Sequence, residues 1–418
     1  MTEARNPGLV AYAAVTAAYW AFMLSDGALR MLVLLHFNGL GFKPIQLAWL
    51  FLLYELAGIV TNLAAGWIAA RFGLAITLWS GLLMQIAALV GLAQLEPGWS
   101  IPASVAFVMV VQGMSGVAKD LAKMSSKSAV KLLAPNGDGT LFRWVALLTG
   151  SKNAVKGVGF FLGAVLLALA GFNGAVWGMA AVLAVILLAI WVFMPAGLPM
   201  GSKEAKFSSV WSRDVRINRL SLARMFLFGA RDVWFVVGIP VYFQAILSDG
   251  TPGGRRFAFF LIGGFMALWI IAYGAVQAAA PKLLDATGKP EAEIIAKAIA
   301  WAGYLVPIPF VLALAAWSAG APALWLSLVI VAGLLVFGYV FAINSSVHSY
   351  LILAFSKEDR VSQDVGFYYM ANAAGRLLGT LLSGVSYQIG GLPLCLATAG
   401  LMAALNWLSA LRLAPKHP

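Results

Sequence analysis

Long apolar runs, separated by short polar breaks, recur from one end of the chain to the other. A helix that crosses a bilayer needs about 20 predominantly apolar residues. Twelve runs reach that length, at 9–37, 44–70, 75–94, 101–122, 140–170, 174–194, 217–247, 255–283, 292–317, 321–355, 362–389 and 392–413. The longest central polar interruption, Met200 to Arg219, divides them into two sets of six. The pattern predicts an all-α polytopic membrane protein with twelve transmembrane helices in two pseudo-symmetric six-helix halves. Residues 1–199 form the expected N-terminal half, 200–218 a cytoplasmic linker and 219–418 the C-terminal half. The first run carries Asp26 and Arg30, so it is expected to be a retained span and not a cleaved signal.

Composition agrees with this pattern. Of 418 residues, 62% are apolar and 11% are charged, against roughly 25% charged in soluble proteins. So little polar material cannot cover a soluble core, which excludes a cytosolic enzyme or a nucleic-acid-binding module. The net charge of +12 is largely topological. One set of alternate loops holds Arg71, Lys131, Lys203, Lys206, Arg213, Arg216, Lys282, Lys289, Lys357 and Arg360, while the other holds little beyond Lys43, Arg255 and Arg256. By the positive-inside rule the first set is cytoplasmic, and both termini with it. A bacterial inner membrane location follows as an expectation, with the lipid bilayer as partner and no nucleic acid. Cys395 is the sole cysteine, too few for a disulfide or a thiolate metal cluster. No P-loop, nucleophile constellation or metal constellation is evident, so neither an enzyme nor a cofactor is expected.

Charges within the apolar runs point to a function, because each costs at least about 2.5–3.5 kcal/mol at the bilayer centre and normally faces a partner or an aqueous cavity. Lys119, Lys123, Lys127 and Lys131 recur every four residues and so share one helix face. Ser125, Ser126 and Ser128 flank them, and Asp120 can neutralise only one. The fifth run adds Arg143, Lys152 and Lys156. The first and seventh runs hold Asp26 with Arg30, and Arg224, Arg231 and Asp232. Asp26 and Arg30 have the spacing of an intrahelical clamp, whereas adjacent Arg231 and Asp232 are not expected to face each other. Tyr368, Asn372 and Arg376 form a polar stripe in the eleventh run, and Tyr54, Glu55 and Asn62 interrupt the second. Glu55 reads as a counter-ion. His36, near the end of the first run, reads as a structural hydrogen-bonding residue.

Together Arg30, Lys119, Lys123, Lys152, Lys156, Arg224, Arg231 and Arg376 face only Asp26, Glu55, Asp120 and Asp232. Such a surplus suits an anion of more than one charge. The alternatives are an ordinary solvated face for the outer lysines, structural ion pairs between helices, and polar glue for the stripe at Tyr368. At the level of the whole chain, a membrane receptor that binds without transport and a membrane-embedded enzyme stay open.

The halves also look repeated. Leu35-His36-Phe37 aligns with Val241-Tyr242-Phe243, which sets Asp26 on Asp232. Asn153-Ala154-Val155-Lys156-Gly157 is similar to Asn372-Ala373-Ala374-Gly375-Arg376. The loop after the second run keeps Gly66, Arg71 and Gly73 of the pattern G-x-x-x-D-(R/K)-x-G-(R/K), with Ala70 in the acidic position. The loop after the eighth keeps Asp285, Gly288 and Lys289. On these residues, and on Gly157, Gly159 and Gly163 in the fifth run, the chain resembles the major facilitator superfamily. The resemblance implies the major facilitator fold and alternating access, with those loops as gating elements.

A closer resemblance lies in the stretches from Gly116 to Lys131 and from Arg231 to Phe243, which are similar to the organoarsenical efflux permeases. It implies 1-arseno-3-phosphoglycerate as substrate, made when glyceraldehyde-3-phosphate dehydrogenase uses arsenate in place of phosphate, and export that confers arsenate resistance. The dehydrogenase is then a functional partner without physical contact, and the permease is expected to be monomeric. Organophosphate antiporters of the same superfamily place an arginine in the first and seventh helices to hold phosphate, which Arg30, Arg224 and Arg231 would match; a guanidinium fork suits phosphate oxygens. An organophosphate or sugar-phosphate exchanger is the alternative within that superfamily. With one cysteine, any arsenic handled is expected to be pentavalent.

Overall fold

The computed structural model describes residues 7–133, 140–193, 212, 214–284, 290–356 and 361–413, and no strand occurs among them. The helices are α1 (Pro7–Gly39), α2 (Pro44–Trp49), α3 (Leu52–Phe72), α4 (Leu74–Leu92), α5 (Ile101–Leu133), α6 (Thr140–Phe193), α7 (Val215–Val233), α8 (Ile239–Leu247), α9 (Pro252–Leu283), α10 (Glu291–Leu305), α11 (Pro307–Ala319), α12 (Leu324–Phe355) and α13 (Val361–Leu411), with a π turn at Trp234–Gly238 between α7 and α8. Among the described residues, ten helical segments are long and apolar enough to cross a membrane. The two longest, Ser151–Val192 and Asp364–Leu411, run to 42 and 48 residues, about twice what one crossing needs. Each breaks at glycine. Gly171 has φ +68° in α6, and Gly391 has φ +61° in α13, a region that costs an L side chain energy and glycine none.

Polarity is distributed for a lipid solvent. Leu169, Trp317, Leu324 and Ile389 are each exposed by 73% or more, while Asp26, Glu55, Asp120 and Asp232 are exposed by 2% or less. Large apolar side chains thus face outward, and these carboxylates are enclosed by helices. His36 stacks on Phe172 with ring centroids 4.0 Å apart, in a structural place.

Two helix pairs share one packing device. In α6, a Cβ on Gly159 or Gly163 would lie 2.5 Å from Leu24 O or 2.2 Å from Ala28 O of α1. In α13, a Cβ on Gly375 or Gly379 would lie 2.0 Å from Met225 O or 2.8 Å from Gly229 O of α7. Both are Gly-x-x-x-Gly faces, which let helix backbones touch where apolar burial supplies no drive between helices. Superposing these contacts places Arg30 on Arg231, each six residues past the carbonyl met by the first glycine. That register differs by five residues from the Asp26-on-Asp232 alignment, which matched Leu35-His36-Phe37 to Val241-Tyr242-Phe243.

The halves meet along two seams, α6 with α9 and α3 with α13. The first is built on small residues: Gly157 against Ala267 O, Gly263 against Ala164 and Gly274 against Asn153. At the end carrying the α1–α2 connection the halves are tied, Asn38 Nδ2 donating to Gln244 Oε1 at 2.7 Å and the Ile45 amide to Gln388 Oε1 at 3.2 Å. The π turn has a local cause. Pro240 has no N–H to offer the Val236 carbonyl and crowds it, and the amides of Val237 and Gly238 donate instead to Ser383 Oγ at 3.1 and 3.2 Å.

Gly375→Val would force a side chain into the Met225 carbonyl, and overpacking of this kind costs about 1–3 kcal/mol. A lowered unfolding midpoint is expected. A thiol-reactive dye can read it, because Cys395 is the sole cysteine and is buried.

Candidate functional site

A central cavity of about 190 Å³ lies between the halves. Its walls include Arg30, Lys119, Lys123, Lys152, Lys156, Arg224, Arg231 and Arg376, against the carboxylates Glu55, Asp120 and Asp232. The fold brings all eight cations to one space from α1, α5, α6, α7 and α13. Arg376 falls midway between the start of α13 at Val361 and its break at Gly390, so the site lies at membrane depth.

The N-terminal half organises its cations on Tyr54. The Lys119 ammonium sits 4.0 Å from the Tyr54 ring centre and the Arg30 guanidinium 5.4 Å. A cation over a π face gains up to about 2 kcal/mol when desolvated. The Tyr54 hydroxyl donates to Asp26 Oδ1 at 2.6 Å, and Asp26 Oδ2 pairs with Lys156 Nζ at 3.3 Å. Asp26 is thus buried behind the wall as an anchor. It does not clamp Arg30 within α1; Arg30 Nη1 reaches Glu55 Oε1 at 2.9 Å instead. Asp120 takes Lys123 at 2.5 Å and a hydrogen bond from Thr61 Oγ1 at 2.6 Å, and Lys123 also donates to Asn62 Oδ1. Lys119 has no carboxylate partner among the described residues.

The C-terminal half uses Phe228 in the same way, 4.1 Å from the Arg224 guanidinium and 4.7 Å from that of Arg231. Arg224 has only neutral acceptors, Asn372 Oδ1 at 3.0 Å and Ser345 O and Oγ at 2.9 Å. Arg231 and Asp232 do pair, at 2.5 Å. Neighbouring side chains diverge on a helix, but the long arginine side chain bends back to reach the carboxylate beside it. Asp232 is shared with Arg376 at 3.3 Å, and Arg376 reaches across the halves to Glu55 at 2.6 Å. Arg30 Nη2 is buried without an acceptor among the described residues.

Tyr368 does not line the cavity. It lies behind Arg224, 1% exposed, with its ring 5.1 Å from the guanidinium, so only Asn372 and Arg376 of the α13 stripe reach the opening. Of the gating-loop residues, Gly73 caps α4 with φ +82°, and Gly66 and Arg71 lie in α3. Asp285 and Gly288 lie outside the described residues, as do the side chains of Lys127, Lys131 and Arg143. Sequence reasoning missed Phe228, Gln277 and Ser345. A hint was present, since Phe228 sits between Arg224 and Arg231 at helical spacing, and Gln277 is an amide inside an apolar run. Gln277 accepts from Asn153 Nδ2 at 3.2 Å and donates to Ser345 Oγ at 3.1 Å, which links α6, α9 and α12.

The family model described as Major Facilitator Superfamily matches residues 15–352. No curated protein sequence matches the chain. Among solved structures, a POT family transporter in complex with 5-aminolevulinic acid is similar with a TM-score of 0.73 at 16% identity, covering 99% of this chain and 97% of that one. The nucleoside transporter NupG gives a TM-score of 0.70 at 14% identity over 97% of this chain and 100% of that one. A bacterial homologue of the iron transporter ferroportin in an inward-facing state gives 0.68 at 13% identity over 98% and 99%. At these identities the likeness is one of fold.

Asp26→Ala removes the carboxylate of Lys156 and the acceptor of Tyr54 together, and stranding a buried charge costs about 3–5 kcal/mol. A large fall in the unfolding midpoint is expected, with substantial recovery when Lys156→Met is added. The double-mutant cycle in detergent reads both.

Proposed function

The chain belongs to the Major Facilitator Superfamily and is a membrane transporter of that type, and we propose that its cargo is a small, multiply charged organic anion. One observation carries this reading: eight cations line a single cavity against three carboxylates, with Asp26 behind the wall paired to Lys156. In low dielectric such an excess is costly unless an anion enters to offset it. Arginines present planar forks to phosphate or arsenate oxygens, and Arg30 Nη2 already lacks an acceptor. At about 190 Å³ the space suits a three-carbon phosphate, since drug-sized ligands occupy pockets of about 300 Å³ or more.

Within that class we favour 1-arseno-3-phosphoglycerate, on the similarity of the stretches around Lys119 and Arg231 to organoarsenical permeases. The transporter would then export the product that glyceraldehyde-3-phosphate dehydrogenase forms from arsenate, and so confer arsenate resistance. Counting each broken helix, α6 and α13, as two crossings gives twelve, with both termini cytoplasmic in a bacterial inner membrane. Export is downhill for such a cargo. A unit charge moving through 100 mV is worth about 2.3 kcal/mol, so about three negative charges leaving a negative interior gain roughly 7 kcal/mol. No coupling ion is required. The two halves would rock about the site by alternating access.

Proteoliposomes test the reading. With the dehydrogenase, glyceraldehyde 3-phosphate, NAD+ as hydride acceptor and arsenate enclosed, arsenic is expected to leave only when the transporter is present, faster with the lumen negative. Lys119→Gln, Lys152→Gln and Arg231→Gln are each expected to lower flux of 3-phosphoglycerate at least about tenfold, a loss of about 1.4 kcal/mol, with the protein still inserted. Arg231→Lys is expected to fail as well, because an ammonium lacks the fork. Normal flux in all three neutral variants sinks the anion reading, and strict dependence on phosphate outside moves it to an organophosphate exchanger.

A further inference from the structure

Glu55 holds an unusual position in this cavity. It is 1% exposed and lies on α3, yet its Oε1 alone accepts from Arg30 Nη1 of α1 at 2.9 Å and from Arg376 Nη2 of α13 at 2.6 Å. Arg376 continues to Asp232, and Asp232 to Arg231. Arg30, Glu55, Arg376, Asp232 and Arg231 thus form an unbroken chain of alternating charge from one half to the other. Two guanidiniums converging on one oxygen is the arrangement a phosphoryl or arsenyl oxygen adopts between arginines. The second oxygen, Oε2, is buried without a hydrogen-bond partner among the described residues. Glu55 therefore engages the arginines at one point only, as a substitute that a better ligand displaces.

A carrier has to pass through a closed form with water excluded from its site, and there an uncompensated charge is most costly. With cargo aboard, the cargo neutralises the arginines. Without it, only resident carboxylates can. Resting on the anion-transport reading above, we propose that Glu55 is the resident counter-anion of the unloaded carrier. It neutralises Arg30 and Arg376 while the site is empty, yields both to the cargo, and so lets the carrier return empty. The protein is then capable of net transport and is not confined to exchange. The chain of charges also fixes which step needs it: the empty return, and not the loaded passage.

The test separates those two steps in proteoliposomes filled with labelled 3-phosphoglycerate. Wild-type protein is expected to release label both into anion-free buffer and into buffer containing unlabelled 3-phosphoglycerate. Glu55→Gln keeps the shape and removes the charge. It is expected to lose release into anion-free buffer at least tenfold while exchange continues at a measurable rate, and to bind 3-phosphoglycerate about tenfold tighter, since the competing carboxylate is gone. Glu55→Asp keeps the charge and is expected to retain net release within a few-fold. Net release by Glu55→Gln at the wild-type rate overturns the assignment. So does joint loss of release and exchange, or a Glu55→Asp variant as impaired as Glu55→Gln. Wild-type protein that only exchanges overturns the role of Glu55 alone. Wild-type protein that carries the label in neither mode refutes the anion reading itself, and this assignment with it.

Discussion

An excess of buried positive charge is the constraint from which the rest of this structure follows. Hydrocarbon surrounds the bundle, so each cation must find an acceptor, an aromatic face or an aqueous opening inside it. The protein uses all three. Carboxylates take Lys123, Lys156, Arg30, Arg231 and Arg376, rings at Tyr54 and Phe228 take Lys119 and Arg224, and all of these cations line the cavity. Tight glycine contacts between α1 and α6, and between α7 and α13, hold the bearing helices so that these groups converge. The packing device and the charge device are therefore coupled, since a looser helix pair would let the arginines relax toward separate carboxylates.

The two halves solve this problem in parallel but not identically. Each uses one Gly-x-x-x-Gly face and one ring that carries two cations. The N-terminal half adds Asp26 as an anchor behind its wall, whereas the C-terminal half satisfies Arg224 with a backbone carbonyl and neutral side chains. Among the described residues, Asp232 is the one carboxylate of the C-terminal half in the cavity wall, and Arg376 shares it with Arg231 while also reaching Glu55 in the other half.

Much of the bundle and its charged interior was legible in the sequence, because apolar run length reports bilayer crossing directly and a charged residue in such a run has few places to go. Arg30, Lys119, Lys152, Arg224 and Arg376 could be picked out for that reason alone. Pairing was less legible. Asp26 and Arg30 have helical spacing, but spacing says nothing about a stronger partner on a neighbouring helix, and here Lys156 and Glu55 win. The ring of Phe228 is one among 25 phenylalanines, and nothing in its type marks it as a cation platform. The glycine breaks in α6 and α13 were visible only as places where two apolar runs nearly touched. Backbone contacts at glycine give the repeat a second register, which matching Leu35-His36-Phe37 to Val241-Tyr242-Phe243 did not give.

The seam between α6 and α9 sets Gly157 on the Ala267 carbonyl, Gly263 on Ala164 and Gly274 on Asn153. Small residues dominate this surface, with Ile270 and Ile271 beside Gly157 and a hydrogen bond, Asn153 to Gln277, across it. If the halves rock as proposed, such a surface would let one roll over the other with few large side chains to lift, and the friction would fall on the polar ties and on the charges at the centre. The speed of the machine is set where its chemistry is, and the long apolar contact serves as a bearing.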